Sequence, residues 1–458
     1  MRKLFGTDGV RGLANREPVS CETALRLGRA IAQVCKRHGV QRPAIVVGRD
    51  TRLSGDMLEA ALTAGICSMG GDARLAGILP TPGIALLTRR LGAAAGAVIS
   101  ASHNPFADNG IKFFAADGFK LPDAAEQEIE ELVERTSSDA APTGSALGRV
   151  AQIDAATQTY AASLTSILAA QTKLHGITVV VDCGHGAAYR VAPLVFAELG
   201  ATVVTLGSSP DGENINAGCG ALHPETLQAA VRARGAQLGV ALDGDADRAM
   251  LVDEDGALVD GDEVLAILGL DLHTRGALRH NTVVATVMSN LGLELALRDR
   301  GVHLARVQVG DRYVVEEMRQ HGYNLGGEQS GHVIVLDHST TGDGLVAALS
   351  VLRVMLERQQ PLSRLKTAMA KYPQVLLNVR VPQRRELHEL PNLQKAIAAV
   401  TQALGDRSRV LVRYSGTEPL LRVMVEGEDR DRVQRCAESI AAAVAAEVGA
   451  TAESGQST

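Results

Sequence analysis

Short β-branched runs that end in glycine or a polar cluster recur along most of the chain, each followed by a longer stretch with apolar residues at helical spacing. A-I-V-V-G-R-D (44–50) precedes S-G-D-M-L-E-A-A-L-T-A-G (54–65), and T-V-V-V-D-C-G-H-G-A-A (178–188) precedes V-A-P-L-V-F-A-E-L-G (191–200). Both read as strand, loop, helix. Similar signatures fall at A-Q-L-G-V-A-L-D-G-D-A-D (236–247), N-T-V-V-A-T-V-M-S-N (281–290) and L-G-G-E-Q-S-G-H-V-I-V (325–335). The alternation predicts an α/β protein whose mixed or parallel sheets are covered by helices, with ligand loops at the carboxyl ends of the strands.

The last segment changes character. L-L-N-V-R-V-P (376–382) and V-L-V-R-Y-S (410–415) flank a helical stretch, then L-L-R-V-M-V-E-G (420–427) and a closing helix complete a small α+β domain. Polar turn formers without apolar periodicity place soft boundaries at 136–145, 253–256 and 371–374. The expected division is 1–155, 156–254, 255–371 and 372–448, with a frayed polar tail at 449–458. A length of 458 residues suits several domains of roughly 150 residues each.

Composition narrows the class of function. Hydrophobic residues make up 46% and charged residues 21%, the balance of a soluble globular protein. A net charge of −6 offers no broad cationic field, so nucleic acid is not an expected partner and any bound phosphate must be met by local cations. Six cysteines stand far apart with no C-x-x-C pair, which predicts free thiols rather than a zinc cage or a disulfide framework. The start, M-R-K-L-F-G-T-D, lacks an apolar region behind its charges, and no apolar run approaches roughly 18 residues. A cytoplasmic protein with no membrane partner is expected.

Several loops could carry chemistry. In V-I-S-A-S-H-N-P (98–105) a serine could be a nucleophile, a phosphate carrier or a turn residue. Asp243, Asp245 and Asp247 crowd three carboxylates into five residues. In a straight strand alternate residues lie roughly 6.5–7 Å apart, too far to share one ion at bond lengths of about 2.1 Å. Gly244 and Ala246 are small enough for the chain to curl and converge the oxygens on a magnesium-type site; the plain alternative is a solvated acidic turn. An EF-hand is disfavoured because Arg248 stands at the sixth position, where that loop requires glycine.

In R-Y-S-G-T-E-P-L-L-R (413–422), Arg413 offers a fork, Ser415 and Thr417 offer hydroxyls, and Gly416 allows close backbone approach. That suits a phosphate monoester, although S-G-T-E-P could be only a hairpin turn. G-E-Q-S-G-H (327–332) places Glu328, Ser330 and His332 on one loop, fit for sugar hydroxyls or an ordinary surface turn. Arg11 in F-G-T-D-G-V-R-G (5–12) and Lys112 in N-G-I-K-F-F-A-A-D-G-F-K-L (109–121) lie near motifs that need cations.

Taken together, F-G-T-D-G-V-R-G, S-A-S-H-N-P, D-G-D-A-D-R, G-E-Q-S-G-H and R-Y-S-G-T-E-P stand in the order and at the spacing of the α-D-phosphohexomutase superfamily, which the chain resembles from residue 5 to about 445. The G-E-Q-S loop and the G-T-D-G-V-R-G start resemble its amino-sugar branch. The resemblance implies three related mixed α/β domains plus a smaller C-terminal α+β domain around a central cleft. Carried over, Ser102 is similar to the serine that bears the phosphoryl group, Ser100 is structural, and His103 and Asn104 shape the loop. Asp243, Asp245 and Asp247 resemble ligands of Mg2+, with a phosphoserine oxygen as a further ligand.

The implied reaction interconverts glucosamine 6-phosphate and glucosamine 1-phosphate through a sugar 1,6-bisphosphate, which also primes Ser102, and feeds UDP-N-acetylglucosamine synthesis. Arg248, Glu328 and Ser330, with Arg413, Ser415, Gly416, Thr417 and Arg422, are the implied substrate contacts. Arg11, Lys112 and His332 are the implied acid/base group, with His103 beside the serine. The partner is a small sugar phosphate, and a homodimer is common in such enzymes. The same machinery could serve a neutral hexose phosphate, a hydrolase or a non-catalytic sugar-phosphate-binding protein.

Overall fold

The computed structural model describes residues 4–6, 8–135, 141–169, 172–382, 384–415 and 419–448, and the backbone of 451–453. These fall into two compact units, Met1–Met288 with Gly301–Ala368, and Ser289–Arg300 with Met369–Thr458. The segment Ser289–Arg300, expected within the third domain, therefore belongs by its contacts with the C-terminal part. Asn290 shows why: its side chain caps the helix Leu291–Arg298 and also pairs with the backbone N–H and carbonyl of Tyr372, at 3.0 Å each.

The first unit holds three mixed sheets. In the first, the strands run in the order Val10–Leu13, Asp108–Ala115, Ala95–Ile99, Ala44–Arg49, Asp72–Ile78, Val150–Gln152. Its covering helix Cys21–Arg37 starts at Ser20, whose hydroxyl accepts from the Thr23 N–H, and buries Ala24, Leu27, Ile31 and Val34 at helical spacing. Each such buried Leu or Ile contributes roughly 1.5–3 kcal/mol. The second sheet orders Leu258–Val259, Ala249–Val252, Leu238–Leu242, Thr178–Asp182, Thr202–Leu206; the third orders His303–Val307, Thr282–Thr286, Leu325–Gly327, Val333–Val335. The turn 253–256, read from sequence as a boundary, closes a hairpin inside the second sheet, pairing Val252 with Leu258.

All three sheets repeat one device. The strands Ala95–Ile99, Leu238–Leu242 and Leu325–Gly327 each pair in parallel with one neighbour and antiparallel with the strand that follows them in sequence. The loop leaving the carboxyl end of each carries Ser102, the three aspartates or Glu328.

The second unit has an antiparallel sheet in the order Arg409–Tyr414, Leu420–Glu426, Gln374–Arg380, Thr451–Glu453. The helices Pro391–Leu404 and Arg430–Val448 pack on it through Leu393, Val400, Val433, Ala437, Ile440 and Val444. This is the α+β module expected at the end of the chain. Residues 451–453, expected to fray, instead add an edge strand against Gln374–Arg380, because backbone pairing needs no particular side chains. Among the described residues no helix is long and apolar enough to cross a membrane, and all six cysteines are free.

Candidate active site

Ser102 sits three residues beyond the strand Ala95–Ile99, 1% exposed, with a left-handed φ of 52° that a serine adopts only where its surroundings impose it. The surroundings are polar and buried. Arg52, fully buried, donates to the carbonyls of Ser102 (2.9 Å), Asn104 (2.8 Å), Pro105 and Asp108 (3.0 Å) and pairs with Asp50 at 2.9 Å. Asn216 donates a further 2.9 Å bond to the Ser102 carbonyl. Ser100 donates to Asp50 at 2.5 Å and accepts from the Ser102 N–H at 3.0 Å, the structural part expected of it. Burial raises the Asp50 carboxyl above its ordinary pKa despite the Arg52 charge.

With its backbone so held, Ser102 Oγ donates a 2.6 Å hydrogen bond to Asp243 Oδ2 and lies 3.4 Å from His103 Nδ1. Burial, then the charges of Arg248 and Arg11, push the His103 imidazole down to about 4, so it is neutral at pH 7.

The aspartate loop curls as its small residues suggest: Ala246 has φ 56°, and the three carboxylates bring oxygens within 4.8 Å of one another. Gly244 is required there, since a Cβ would stand 2.5 Å from the Ser102 carbonyl oxygen. Burial and the neighbouring Asp247 and Asp245 charges raise the Asp243 carboxyl well above its ordinary pKa. Burial also opposes ionisation of Asp247, but His332, Lys112 and Arg248 outweigh it and hold that carboxyl below the usual range. Asp245 accepts from Thr81 Oγ1 at 2.7 Å and Lys112 Nζ at 3.0 Å through one oxygen; its other oxygen and Asp247 Oδ1 are buried without a hydrogen-bond partner. Three converging hard oxygen donors, two of them with an unpaired buried oxygen, fit a divalent cation such as Mg2+.

Lys112 projects from the strand Asp108–Ala115 and is 2% exposed. Burial works against its charge, yet Asp245, Asp8 and Asp247 outweigh that and raise its pKa above the ordinary lysine value. His332 Nδ1 lies 3.5 Å from Asp247 and its Nε2 3.6 Å from Asp311. Burial lowers its pKa, but Asp247, Asp311 and Glu328 reverse the effect and bring it to about 8. A Cβ on Gly342 would fall 2.4 Å from this imidazole, so only glycine lets the ring pack there. Arg11 pairs with Asp8, and Arg248 stands 3.8 Å from Asp247 while its N–H donates to Asp243 at 3.2 Å. Glu328 accepts from the Gly310 N–H at 3.1 Å and from Ser330 Oγ at 3.4 Å.

Ser102, His103, Arg11, Lys112, the aspartates, Arg248, Glu328, Ser330 and His332 are thus brought together in the first unit. Arg413, Ser415 and Arg422 belong to the second. There Arg413 and Arg422 occupy directly opposed positions on two antiparallel strands, and burial, then the Arg422 charge, lower the Arg413 pKa. Arg384 donates to the Ser415 carbonyl at 2.5 Å, and Tyr414 fixes the neighbouring chain through a 2.6 Å bond to the Arg385 carbonyl. Gly416 and Thr417 lie outside the described residues. Asp8, Asp50, Arg52, Lys120 and Asp311 escaped sequence reasoning. R-D-T-R (49–52) follows a predicted strand, which was the one signal available for Asp50 and Arg52.

Family models for phosphoglucomutase/phosphomannomutase match four segments: alpha/beta/alpha domain I at residues 2–140, domain II at 158–256, domain III at 260–372 and the C-terminal domain at 376–443. A phosphoglucosamine mutase of Syntrophotalea carbinolica is 54% identical over 449 residues, covering 98% of each chain. Another, of Anaeromyxobacter dehalogenans, is 56% identical over 457 residues, covering 98% of this chain and all of that one. The crystal structure of a phosphoglucomutase/phosphomannomutase family protein from Burkholderia thailandensis aligns with a TM-score of 0.80 at 25% identity, covering 97% of this chain and 98% of that one.

Proposed function

The chain belongs to the phosphoglucomutase/phosphomannomutase family, and from that premise we propose that it interconverts glucosamine 6-phosphate and glucosamine 1-phosphate. A phosphoryl group carried on Ser102 Oγ passes to the free sugar hydroxyl. The Oγ–P bond breaks, the sugar O–P bond forms, and the hydroxyl proton passes to a base, leaving a 1,6-bisphosphate. That intermediate reorients and returns its other phosphate to Ser102. The choice of amino sugar rests on relatives of 54% and 56% identity named phosphoglucosamine mutase. The product would feed UDP-N-acetylglucosamine formation.

The observation that carries the reading is the 2.6 Å contact between Ser102 Oγ and a buried triad of carboxylates. Asp243, Asp245 and Asp247 would hold a divalent cation, which when bound neutralises charge on the group in transfer. A phosphoserine carries close to two negative charges at pH 7, so Lys112 and Arg248 are set to offset it. Lys112 stays protonated beside the aspartates, which suits a donor of a proton or of positive charge rather than a base. His103, neutral and 3.4 Å from Oγ, can take a proton. Glu328 and Ser330 would bind ring hydroxyls shared by both substrate poses. Arg413, Ser415, Gly416, Thr417 and Arg422 would hold the phosphate that is not reacting.

Turnover on glucosamine 6-phosphate, glucose 6-phosphate and mannose 6-phosphate, with Mg2+ and a priming 1,6-bisphosphate, tests the substrate. A kcat/KM preference for the amino sugar is expected; equal or better turnover of the neutral hexoses would overturn that part alone. Ser102→Ala should lower mutase turnover by at least about 10³-fold and abolish phosphoenzyme formation by mass spectrometry. Full turnover by that variant would refute the serine mechanism.

A further inference from the structure

The strand that carries Lys112 runs on into a tight turn. The Ala115 N–H bonds the Phe119 carbonyl at 2.8 Å, the Gly118 N–H bonds the Ala115 carbonyl at 2.8 Å, and Phe114 bridges to Lys120. This rigid turn delivers Lys120 to two carboxylates at once, Asp8 and Asp311. Asp8 also lies 3.1 Å from Lys112 Nζ and pairs with Arg11, while Asp311 is the carboxylate nearest His332 Nε2, at 3.6 Å. Lys112 stands 3.7 Å from Asp247, and Asp247 3.5 Å from His332 Nδ1, which closes a ring of alternating charge: Lys120, Asp8, Lys112, Asp247, His332, Asp311. Lys120 touches none of the groups assigned to substrate or metal, yet it holds an acidic partner of Arg11, Lys112 and His332.

We propose that Lys120 is a positioning residue for the mutase reaction: by bridging Asp8 and Asp311 it fixes where Lys112, Arg11 and His332 point. The inference rests on the mutase reading above. Removing the ammonium leaves two carboxylates facing each other in one polar pocket, and each is then free to draw its other partner out of place. Burial opposes the charge of Lys120, but Asp311 and Asp8 outweigh it, so the bridge stays ionic at neutral pH.

Lys120 is not what tethers the turn. Arg319 pairs with Asp117 at 3.1 Å and stacks 4.0 Å over the Phe119 ring, Arg312 pairs with Asp123 and Glu126, and Thr340 Oγ1 donates to the Gly118 carbonyl at 2.6 Å. These contacts persist without Lys120, so a mechanical and a chemical role can be separated.

The test compares Lys120→Met, Lys120→Arg and Arg319→Ala in the full-length enzyme, reading kcat, KM for glucosamine 6-phosphate and thermal midpoint. Lys120→Met should lose roughly 10²-fold in kcat, the scale of misplaced catalytic groups, with KM changed by less than about 3-fold. Lys120→Arg, which can also bridge two carboxylates, should recover most of that loss. Arg319→Ala, which weakens only the tether, should keep its kcat. Should Lys120→Met fail to fold, Lys120→Gln keeps a hydrogen-bond donor and removes only the charge, and the same kcat loss is expected. A Lys120→Met or Lys120→Gln variant that folds and retains kcat, or an Arg319→Ala loss as large as that of Lys120→Met, overturns the proposal. A wild-type enzyme without mutase turnover would instead sink the functional reading itself.

Discussion

Two antiparallel hairpins carry the charged chemistry of this chain, one in each compact unit. Between Leu238–Leu242 and Ala249–Val252 lie three buried aspartates; between Arg409–Tyr414 and Leu420–Glu426 lies a loop flanked by the opposed arginines Arg413 and Arg422. The acidic hairpin is closed in. Lys112, His332, Arg248 and the Ser102 hydroxyl already face its carboxylates, at 2.6–3.8 Å. The basic hairpin is half-buried and places two guanidinium groups at directly opposed positions of its strands. Fixed charges packed around the serine hydroxyl are suited to stabilising a transition state, whereas a pair of planar guanidinium forks is suited to capturing a phosphate. The first should therefore govern kcat and the second KM.

The largest effect expected from breaking this contrast comes from Asp245→Asn. Loss of one oxygen charge should lower kcat by at least about 10²-fold, several kcal/mol of charge stabilisation, and weaken Mg2+ binding measured by calorimetry on the resting enzyme. Unchanged Mg2+ affinity would remove Asp245 from the metal set. Arg413→Ala should act on the other side: KM for the sugar phosphate rises about 10–100-fold, the worth of one charge-assisted bond, and kcat changes much less. A kcat loss with constant KM would erase the division between the hairpins. Arg413→Lys should recover little, because an ammonium lacks the planar fork.

The smallest effect concerns a buried carboxyl held by neutral donors. Asp343 caps the helix Gly344–Arg358 through bonds of 3.0 Å from the Leu345 and Val346 N–H groups and accepts from Tyr160 OH at 2.8 Å. Burial raises its pKa to about 6, only partly countered by those bonds. The folded state then holds this proton more tightly than the unfolded chain. Its contribution is fully present below the unfolded value of about 4 and is lost as pH rises through about 6. Asp343→Asn keeps the cap and has no proton to lose. Urea unfolding should show the variant gaining about 2–3 kcal/mol on wild type between pH 4 and pH 7.5; parallel pH curves would refute the shifted carboxyl.

The legible part of the site was the part written in local residue types. Three carboxylates in five residues, with Gly244 and Ala246 between them, announced a shared ligand and the curl needed to reach it; the structure shows the curl and the carboxylate oxygens converging within 4.8 Å. S-A-S-H-N-P marked Ser102 as one candidate among several, and the family pattern chose it over Ser100. Lone charges were not legible. Arg52 reads as an ordinary surface arginine in T-R-L-S, yet it is fully buried and holds four carbonyls of the serine loop. Lys120 and Asp311 lie 191 residues apart, and nothing in either neighbourhood names the other.

Alternating apolar runs and turn formers by themselves determined the α/β class, the smaller α+β ending and the strand-end loops that hold the chemistry, because periodicity and backbone pairing are local properties. Tertiary structure alone decided which charges neutralise one another: that Lys112 stays a cation, that His103 is neutral while His332 is raised to about 8, and that Ser289–Arg300 belongs with the C-terminal unit. Burial and the distance between charges set ionisation, and both are properties of residues far apart in sequence that only folding brings together.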